Sequence, residues 1–261
     1  MLGELKFDDA MIKSLVTVGM GWLGMGLLIA QPGGLGSSSP NFGGSLSRIF
    51  GANTNFTTTV EIQATGGTTG ETTLVGNLAF DDGKSRFEMD LGKIKSSKMP
   101  PGAAEQMKAL GMDQIIVISR PDLKVSYMVY PGVKAFAEMP LKESESAEAV
   151  SRLKLETTEL GRETVDGHPT IKNRVTVTGD AGKRQEFVVW NATDLNTFPV
   201  KLEMEDDGTK LTMSFKSVKL VRPPAAQFET ARDLKRYDSV MAMMQEEMLK
   251  KMGNMTPPPG R

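Results

Sequence analysis

Residues 113–139 constrain the fold most strongly, because three β-rich runs follow one another there with no room for a helix between them. The runs are residues 115–119, 124–130 and 133–138. They are separated by Arg-Pro-Asp and Pro-Gly, which are typical turn sequences. In the second run Val125, Tyr127 and Val129 share one face, as in a strand that borders a core. The stretch predicts an antiparallel meander at the centre of the fold.

The rest of the chain extends this pattern on both sides of the meander. Alternating apolar residues bounded by Gly, Asp, Asn or Pro turns predict more strands. These lie at 56–64, 74–80, 87–91, 155–165, 170–178, 185–191, 200–205 and 211–221. The count reaches about eleven strands, and all-β folds of this length commonly form one domain. We therefore expect one mainly antiparallel β domain over residues 54–252.

Three helices are predicted around this sheet, at residues 103–110, 144–154 and 232–252. Proline precedes the first and Gly111 follows it, which is the usual asymmetry of helix ends. The last helix has a methionine face that includes Met241, Met244 and Met248. Methionine suits an irregular core as well as a surface that accepts varied apolar partners. The helix is thus either a permanent plug of the barrel mouth or a movable lid.

The amino-terminal region has the layout of an export signal. Residues 14–30 carry no charge and follow Lys13, so residues 1–30 are predicted to be a signal peptide or an uncleaved membrane anchor. Acidic residues precede this stretch, which favours a translation start at Met11 over Met1. The Gly/Ser-rich residues 31–53 indicate a flexible linker. Export to the periplasm or cell envelope follows, and residues 253–261 are predicted to be a disordered tail.

Composition excludes several classes of function. The formal net charge is −1, and no basic excess indicates a nucleic-acid partner. The chain has no cysteine, which excludes thiolate chemistry and disulfides. The single histidine, His168, lies in an Asp-Gly-His-Pro turn, and the acidic pairs also fall at turns, where such side chains cap backbone amides. The sequence therefore predicts no enzyme, no catalytic residues, no metal site and no cofactor.

Four stretches, in this order, resemble the LolA/LolB-like superfamily of lipoprotein carriers, and more closely the exported DUF4412-type proteins. They are residues 125–140 (VSYMVYPGVKAFAEMP), 161–170 (GRETVDGHPT), 190–195 (WNATDL) with FPVKLE at 198–203, and Phe228-Glu with the Met-rich tail helix. The resemblance covers residues 55–252. It implies a strongly curved, unclosed antiparallel barrel whose concave apolar face is covered by helices and can hold acyl chains.

Together these features predict an exported, non-enzymatic protein that binds a lipid or lipoprotein acyl chain in an apolar half-barrel cavity. The predicted cavity and lid residues are Phe87, Met89, Tyr127, Val129, Trp190, Met241, Met244 and Met248. An alternative is a structural or sensory envelope protein of the same fold, with a filled interior and a protein partner. Membrane contact through the amino-terminal segment is expected if that segment is not cleaved.

Overall fold

The computed structural model describes residues 42, 44–66, 70–179, 182, 184–206 and 208–253. The predicted signal or anchor, the choice of start codon and the tail beyond Gly253 concern residues outside these ranges. The described residues belong to one compact unit that begins at Phe42.

Thirteen strands form one sheet in the described part of the chain. They are β1 (Asn55–Gly66), β2 (Thr72–Asp81), β3 (Lys84–Asp90), β4 (Lys95–Ser96), β5 (Gln114–Arg120), β6 (Val125–Tyr130), β7 (Ala135–Pro140), β8 (Lys154–Val165), β9 (His168–Thr178), β10 (Arg184–Ala192), β11 (Phe198–Asp206), β12 (Thr209–Lys219) and β13 (Lys235–Tyr237). The spatial order is β13-β7-β6-β5-β3-β2-β1-β12-β11-β10-β9-β8, with β4 beside β2. Since β13 and β8 are the two ends of this order, the curved sheet stays open, and the predicted fold class is confirmed.

The predicted count of about eleven strands missed two short elements. Strand β4 has two residues, and β13 has three, so neither is long enough to show a period-two pattern. Strand β13 is also the one parallel partner in the sheet, paired with β7, whereas the other pairs are antiparallel. The meander predicted over residues 113–139 is present as β5, β6 and β7.

Four α-helices are described: α1 (Gly44–Ile49), α2 (Ala103–Leu110), α3 (Ala147–Arg152) and α4 (Val240–Gly253). Helix α2 has the predicted bounds, and the N–H of Gly111 closes it on the carbonyls of Met107 and Lys108. Helix α3 is shorter than predicted, because Leu153 is extended and β8 begins at the next residue. Among the described helices, none is both long and apolar enough to cross a membrane.

The predicted tail helix begins eight residues too early. Residues 235–237 form β13, whose backbone pairs with β7 from Ala135 to Ala137, and the helix starts only at Val240. The Ser239 hydroxyl accepts a hydrogen bond from the Ala242 N–H at 3.1 Å, which stabilises this helix start. Pairing with a distant strand has overridden the local helical periodicity.

Cross-strand register gives the sheet two distinct faces. The inner face carries, for example, Phe56 opposite Phe80 and Leu202 opposite Met213. The helices lie on this face: α4 contacts β7, and the buried Met243 of α4 packs in one cluster with residues of β5 and β6. The other face, here called the outer face, carries polar residues on β1, β11 and β12.

Gly76 of β2 is required by the close packing of the inner face. A Cβ atom at this position would lie 2.4 Å from the Phe87 ring and 2.5 Å from the Glu88 carbonyl oxygen. We expect Gly76→Ala to lower the free energy of unfolding by about 1–3 kcal/mol, the usual cost of overpacking. Urea denaturation measures this. Asn77→Ala, on the outer face of β2, is the control and should change stability far less. Gly83 is not a suitable control position, because its φ is positive and a side chain would be strained there.

Candidate functional site

The centre of the inner face is occupied by residues that belong to no strand. We call residue 42 and residues 44–53 the inner segment; it contains α1. Its apolar side chains Phe42, Leu46, Ile49 and Phe50 are all buried. The inner segment therefore covers the sheet at the position where the sequence predicts a ligand cavity.

Phe50 is the aromatic centre of this arrangement, and only 3% of its surface is exposed. Its ring centroid lies 4.8–6.0 Å from four phenylalanine rings on β1, β2, β11 and β12. These are Phe56, Phe80, Phe198 and Phe215. Such distances are typical of favourable edge-to-face and offset aromatic pairs. One side chain of the inner segment thus joins both halves of the sheet.

Few polar contacts fix the inner segment to the sheet region. The Ser45 hydroxyl donates to Gln185 Oε1 at 2.8 Å. The side chains of Asn53 and Asn196 form two hydrogen bonds between the inner segment and the β10–β11 turn, each of 3.1 Å. Since the side chains that the inner segment buries, Phe42, Leu46, Ile49 and Phe50, are apolar, burial of hydrocarbon and aromatic surface is the main force that holds it in place.

The linker prediction for residues 31–53 missed this segment. Residues 44–53 form a helix and turn that pack on the sheet, whereas a flexible linker was expected. The signal is visible in the sequence, because Phe42, Leu46, Ile49 and Phe50 follow the i, i+4, i+7, i+8 spacing of one helical face. The many neighbouring Gly and Ser residues instead led to the prediction of a flexible linker, because composition was considered and spacing was not.

A second apolar cluster lies on the inner face near the other edge of the sheet. Met243 of α4 is fully buried there, beside Met128, Tyr130 and Ala135. Burial raises the pKa of Tyr130 to about 12, because the phenolate would lose its hydration. Among the described residues, its hydroxyl donates to a sulfur atom alone, Met128 Sδ at 3.2 Å. This cluster is a packed core.

The predicted site residues fall in several places. Phe87 and Met89 lie on the inner face, where Phe87 contacts the Phe42 ring at 4.9 Å. Met244 packs partly buried against the second cluster. Met241 is 42% exposed. Met248 belongs to α4, but its side chain lies outside the described part of the structure.

Tyr127 and Val129 lie on the outer face, and so they do not join Phe87 and Met89. They pack in a third cluster with Phe136 and the buried Phe228. Phe228 belongs to residues 220–234, which run from β12 to β13 over the outer face and are here called the strap. The alternation of side chains in β6 was predicted correctly, but the strand register places the face that carries Tyr127 and Val129 under the strap.

Trp190 also lies on the outer face, opposite Lys201 on β11. Its ring is flanked by the ammonium groups of Lys172 and Lys201, at 4.8 and 4.3 Å from the centroid. Its Nε1–H donates to Glu163 at 2.6 Å, and this bond lowers the pKa of Glu163. These contacts account for the burial of Trp190 on the strand surface, away from the other predicted site residues. The binding role of the eight residues stays a prediction.

The polar residues weighed as catalytic candidates are spread out. His168 Nδ1 lies 2.9 Å from Asp194 Oδ2 at an exposed end of β9. Within the described ranges, no three His, Asp or Glu side chains are grouped so as to hold a metal ion.

An ion-pair network joins α4 to β13, and its contribution to stability should depend on pH. Glu246 pairs with Lys235 and with Lys250, and these hydrogen bonds lower the pKa of Glu246 to about 2. A folded-state pKa below the ordinary 4.5 means that the contribution to stability is present above pH 4.5. It is lost as pH falls from 4.5 through 2.

We therefore expect the stability difference between wild type and Glu246→Gln to be largest near neutral pH and to vanish towards pH 2. Urea denaturation at several pH values measures it. Gln245→Ala, at an exposed position of the same helix, removes no titratable group; it is the control and should show no such trend. A difference that persists unchanged at pH 2 would contradict the role of this network.

Comparisons with known proteins give similarity only at the level of structure. No family model matches the sequence, and no curated protein sequence matches it. Solved structures with 12% identity include lipoprotein LppX from Mycobacterium tuberculosis, with a TM-score of 0.39 over 66% of this chain and 92% of that one. Solved structures of the LolA superfamily are among the matches. One is protein NE2245 from Nitrosomonas europaea, with 12% identity and a TM-score of 0.35 over 71% and 97% of the two chains.

A third match is LprF from Mycobacterium bovis, with 12% identity and a TM-score of 0.38 over 73% of this chain and 93% of that one. These matches are similarities of fold and include one protein of the LolA superfamily. The finer resemblance to DUF4412-type proteins stays a prediction.

Proposed function

We propose that this chain is an exported protein that binds a lipid or lipoprotein acyl chain on the inner face, at the place where the inner segment lies. The observation that carries the proposal is the contact of Phe50 with four rings of the sheet. An apolar surface that spans both halves of the sheet is thus covered by a separate piece of chain. In this proposal the inner segment occupies the site until a ligand replaces it.

The chemistry of the site favours a hydrocarbon ligand. The rings around Phe50 offer apolar surface, and a polar ligand buried among them would lose its hydrogen bonds to water without replacement. An acyl chain has no polar group along its length, and it gains about 0.8 kcal/mol for each buried CH₂. A linear chain also matches the extent of the inner segment from Phe42 beside β3 to Phe50.

Release of the inner segment would leave the sheet intact. The strands beneath it pair with one another, as β1 with β12 and β10 with β11, and none of these pairings uses α1. Helix α1 has six residues, and isolated helices of this length are unstable in water. Once displaced, the segment would be expected to lose its helical structure.

Export is proposed from the uncharged residues 14–30, which follow a lysine as in secretory signals. The binding proposal requires no catalytic group, and so the protein is proposed to be a carrier or receptor of its ligand and not an enzyme.

Native mass spectrometry of protein purified from its own cell envelope tests this function. We expect one bound lipid. After this lipid is removed, a fluorescent fatty acid should bind at the same site. Protein that carries no lipid and leaves the fluorescence of the fatty acid unchanged would exclude the proposal.

A second candidate function is a structural or sensory role through protein contacts. The complete burial of Phe56, Phe187 and Phe198 favours it, because a permanently filled interior needs no ligand. Strand β8 is also an open sheet edge of 12 residues, and such an edge can pair with a strand of another protein. Recovery of one stoichiometric protein partner, without lipid, would favour this function.

A further inference from the structure

Strand β8 forms one end of the sheet, with β9 on one side and no described strand on the other. It has 12 residues, and none of them is buried. An edge strand of this length presents a row of unpaired N–H and C=O groups, to which another strand can add. The opposite edge strand, β13, has only three residues. Strand β8 is therefore the described edge that is better suited to pairing with a second chain.

The hydrogen bonds of β9 show which backbone groups of β8 face outwards. Pro169 of β9 turns its backbone away from β8, because its carbonyl accepts from the Thr193 N–H at 2.9 Å. Backbone groups alternate in direction along a strand, so the even-numbered residues of 168–178 face β8 and bond to their partners there. The residues of β8 left with outward backbone groups are Leu155, Thr157, Glu159, Arg162 and Thr164.

A β-bulge changes this alternation within β8. The pairing with β9 shifts between Glu159 and Gly161, so Leu160 is an extra residue. The outward backbone groups therefore belong to odd-numbered residues before Leu160 and to even-numbered residues after it.

Because of the bulge, β8 is complementary to a reversed copy of itself. When the strand is reversed about Thr158, Thr157 lies opposite Glu159 of the second copy. Beyond the bulge, Leu155 lies opposite Arg162. All four of these residues direct their backbone groups outwards, as the hydrogen-bonded pairs of an antiparallel ladder require.

The charges of β8 fit the same alignment. Lys154, which forms no ion pair with any described residue, lies opposite Glu163 of the second copy, and symmetry repeats this pair. Glu163 accepts from Trp190 through Oε1, and its other carboxylate oxygen can still accept. Opposite charges that face each other across two strands stabilise their pairing, and like charges oppose it. An axis at Glu156 or Glu159 would instead place two carboxylates opposite each other.

We propose that two copies of this chain form an antiparallel dimer through β8, with the two-fold axis at Thr158. The same patch is used by both copies, as in most homodimers. A second copy is the partner because β8 complements itself in backbone direction and in charge. The dimer goes beyond the functions proposed above, and it leaves the inner segment of each copy in place.

A cysteine at Thr158 tests the position of the axis, since the chain has no cysteine of its own. Two Thr158→Cys residues would face each other with Cβ atoms about 4.5–5.5 Å apart, which small adjustments bring within the range of a disulfide. We expect oxidised glutathione to produce a covalent dimer. Thr164→Cys, on the same strand, is the matched control and should stay monomeric on a denaturing gel, because its two copies would lie roughly 30 Å apart.

Sedimentation velocity measures the dimer without a cross-link. We expect wild type to have the mass of two chains at high concentration and of one chain on dilution. Thr157→Pro should abolish the dimer, because it removes an outward N–H group and leaves the bonds between β8 and β9 in place. Its circular dichroism spectrum should remain that of wild type.

Lys154→Glu is a second test that leaves the backbone unchanged. It converts both Lys154–Glu163 pairs into like-charge pairs, so the Kd of the dimer should rise by about 10-fold or more. Lys219→Glu, four strands away on β12, changes the net charge equally and should leave the Kd unchanged. Added salt should reduce the effect of Lys154→Glu.

Three results would overturn the proposal. They are a monomer at every concentration, a dimer that neither Thr157→Pro nor Lys154→Glu weakens, and equal cross-linking of Thr158→Cys and Thr164→Cys. None of these variants alters the inner segment, so fatty-acid binding at the inner face is tested separately.

Discussion

Phe50→Ala is expected to lower the free energy of unfolding by about 3–5 kcal/mol in the absence of lipid, and to strengthen binding of a fluorescent fatty acid. The loss of stability follows from the burial of Phe50 and from its four ring contacts. The gain in binding follows because a lipid competes with the inner segment, and a segment that is held less tightly is displaced more easily.

The matched control is Phe187→Ala. Phe187 is also fully buried and belongs to β10, but it is part of the sheet and not of the inner segment. We expect a similar loss of stability, measured by urea denaturation, with no gain in fatty-acid affinity. If both variants changed affinity alike, the inner segment would not be a competitor of the ligand.

The central strands were the most predictable part of the fold, for a local reason. In β5 to β7 the alternation of side chains and the short turns agree, so pairing of sequence neighbours suffices to build the meander. Strand β13 could not be predicted in this way, because its partner β7 lies about a hundred residues away in sequence, roughly the separation of Ala135 from Lys235.

The assignment of faces was the harder step. A shift of register by one residue exchanges the two faces of a strand, so alternation alone does not say which residues of different strands meet. Ile115, Ile116, Val117 and Ile118 form a continuous apolar run, which indicates a strand covered on both faces. The inner-face clusters and the strap supply these two covers, and the strap explains why Tyr127 and Val129 lie apart from Phe87.

The candidate site depends on packing between residues distant in sequence to a greater degree than the central strands do. Phe87 was placed on the inner face by its strand pattern, but its partner Phe42 lies in a Gly/Ser-rich stretch. Met241 and Met244 follow one helical pattern, yet α4 buries Met243 instead and leaves Met241 exposed. The start of α4 at Val240, after β13, sets this rotation, and the sequence pattern over 232–252 could not reveal it.

Chemical tethering of the inner segment is expected to abolish lipid binding altogether. The Ser45 and Gln185 side chains touch at 2.8 Å, and the chain has no cysteine, so Ser45→Cys with Gln185→Cys introduces the only two thiols. A short thiol-specific cross-linker would join them and hold α1 on the inner face. A ligand that must displace the inner segment then has no site to enter.

The control is a cross-link within the sheet. Asn173 and Asn191, on β9 and β10, are joined by a hydrogen bond of 3.0 Å, and cysteines at these positions would connect two strands that are already paired. Fatty-acid binding should be retained in this variant, which shows whether the linker chemistry itself disturbs binding.

The claim that a lipid must displace the inner segment is tested most directly by fluorescent fatty-acid titration of the Ser45→Cys/Gln185→Cys protein. The titration is done before cross-linking, after it and after cleavage of the linker. We expect binding before cross-linking, no binding while the tether is in place, and recovery on cleavage. Equal affinity in all three states would show that the ligand does not displace the inner segment.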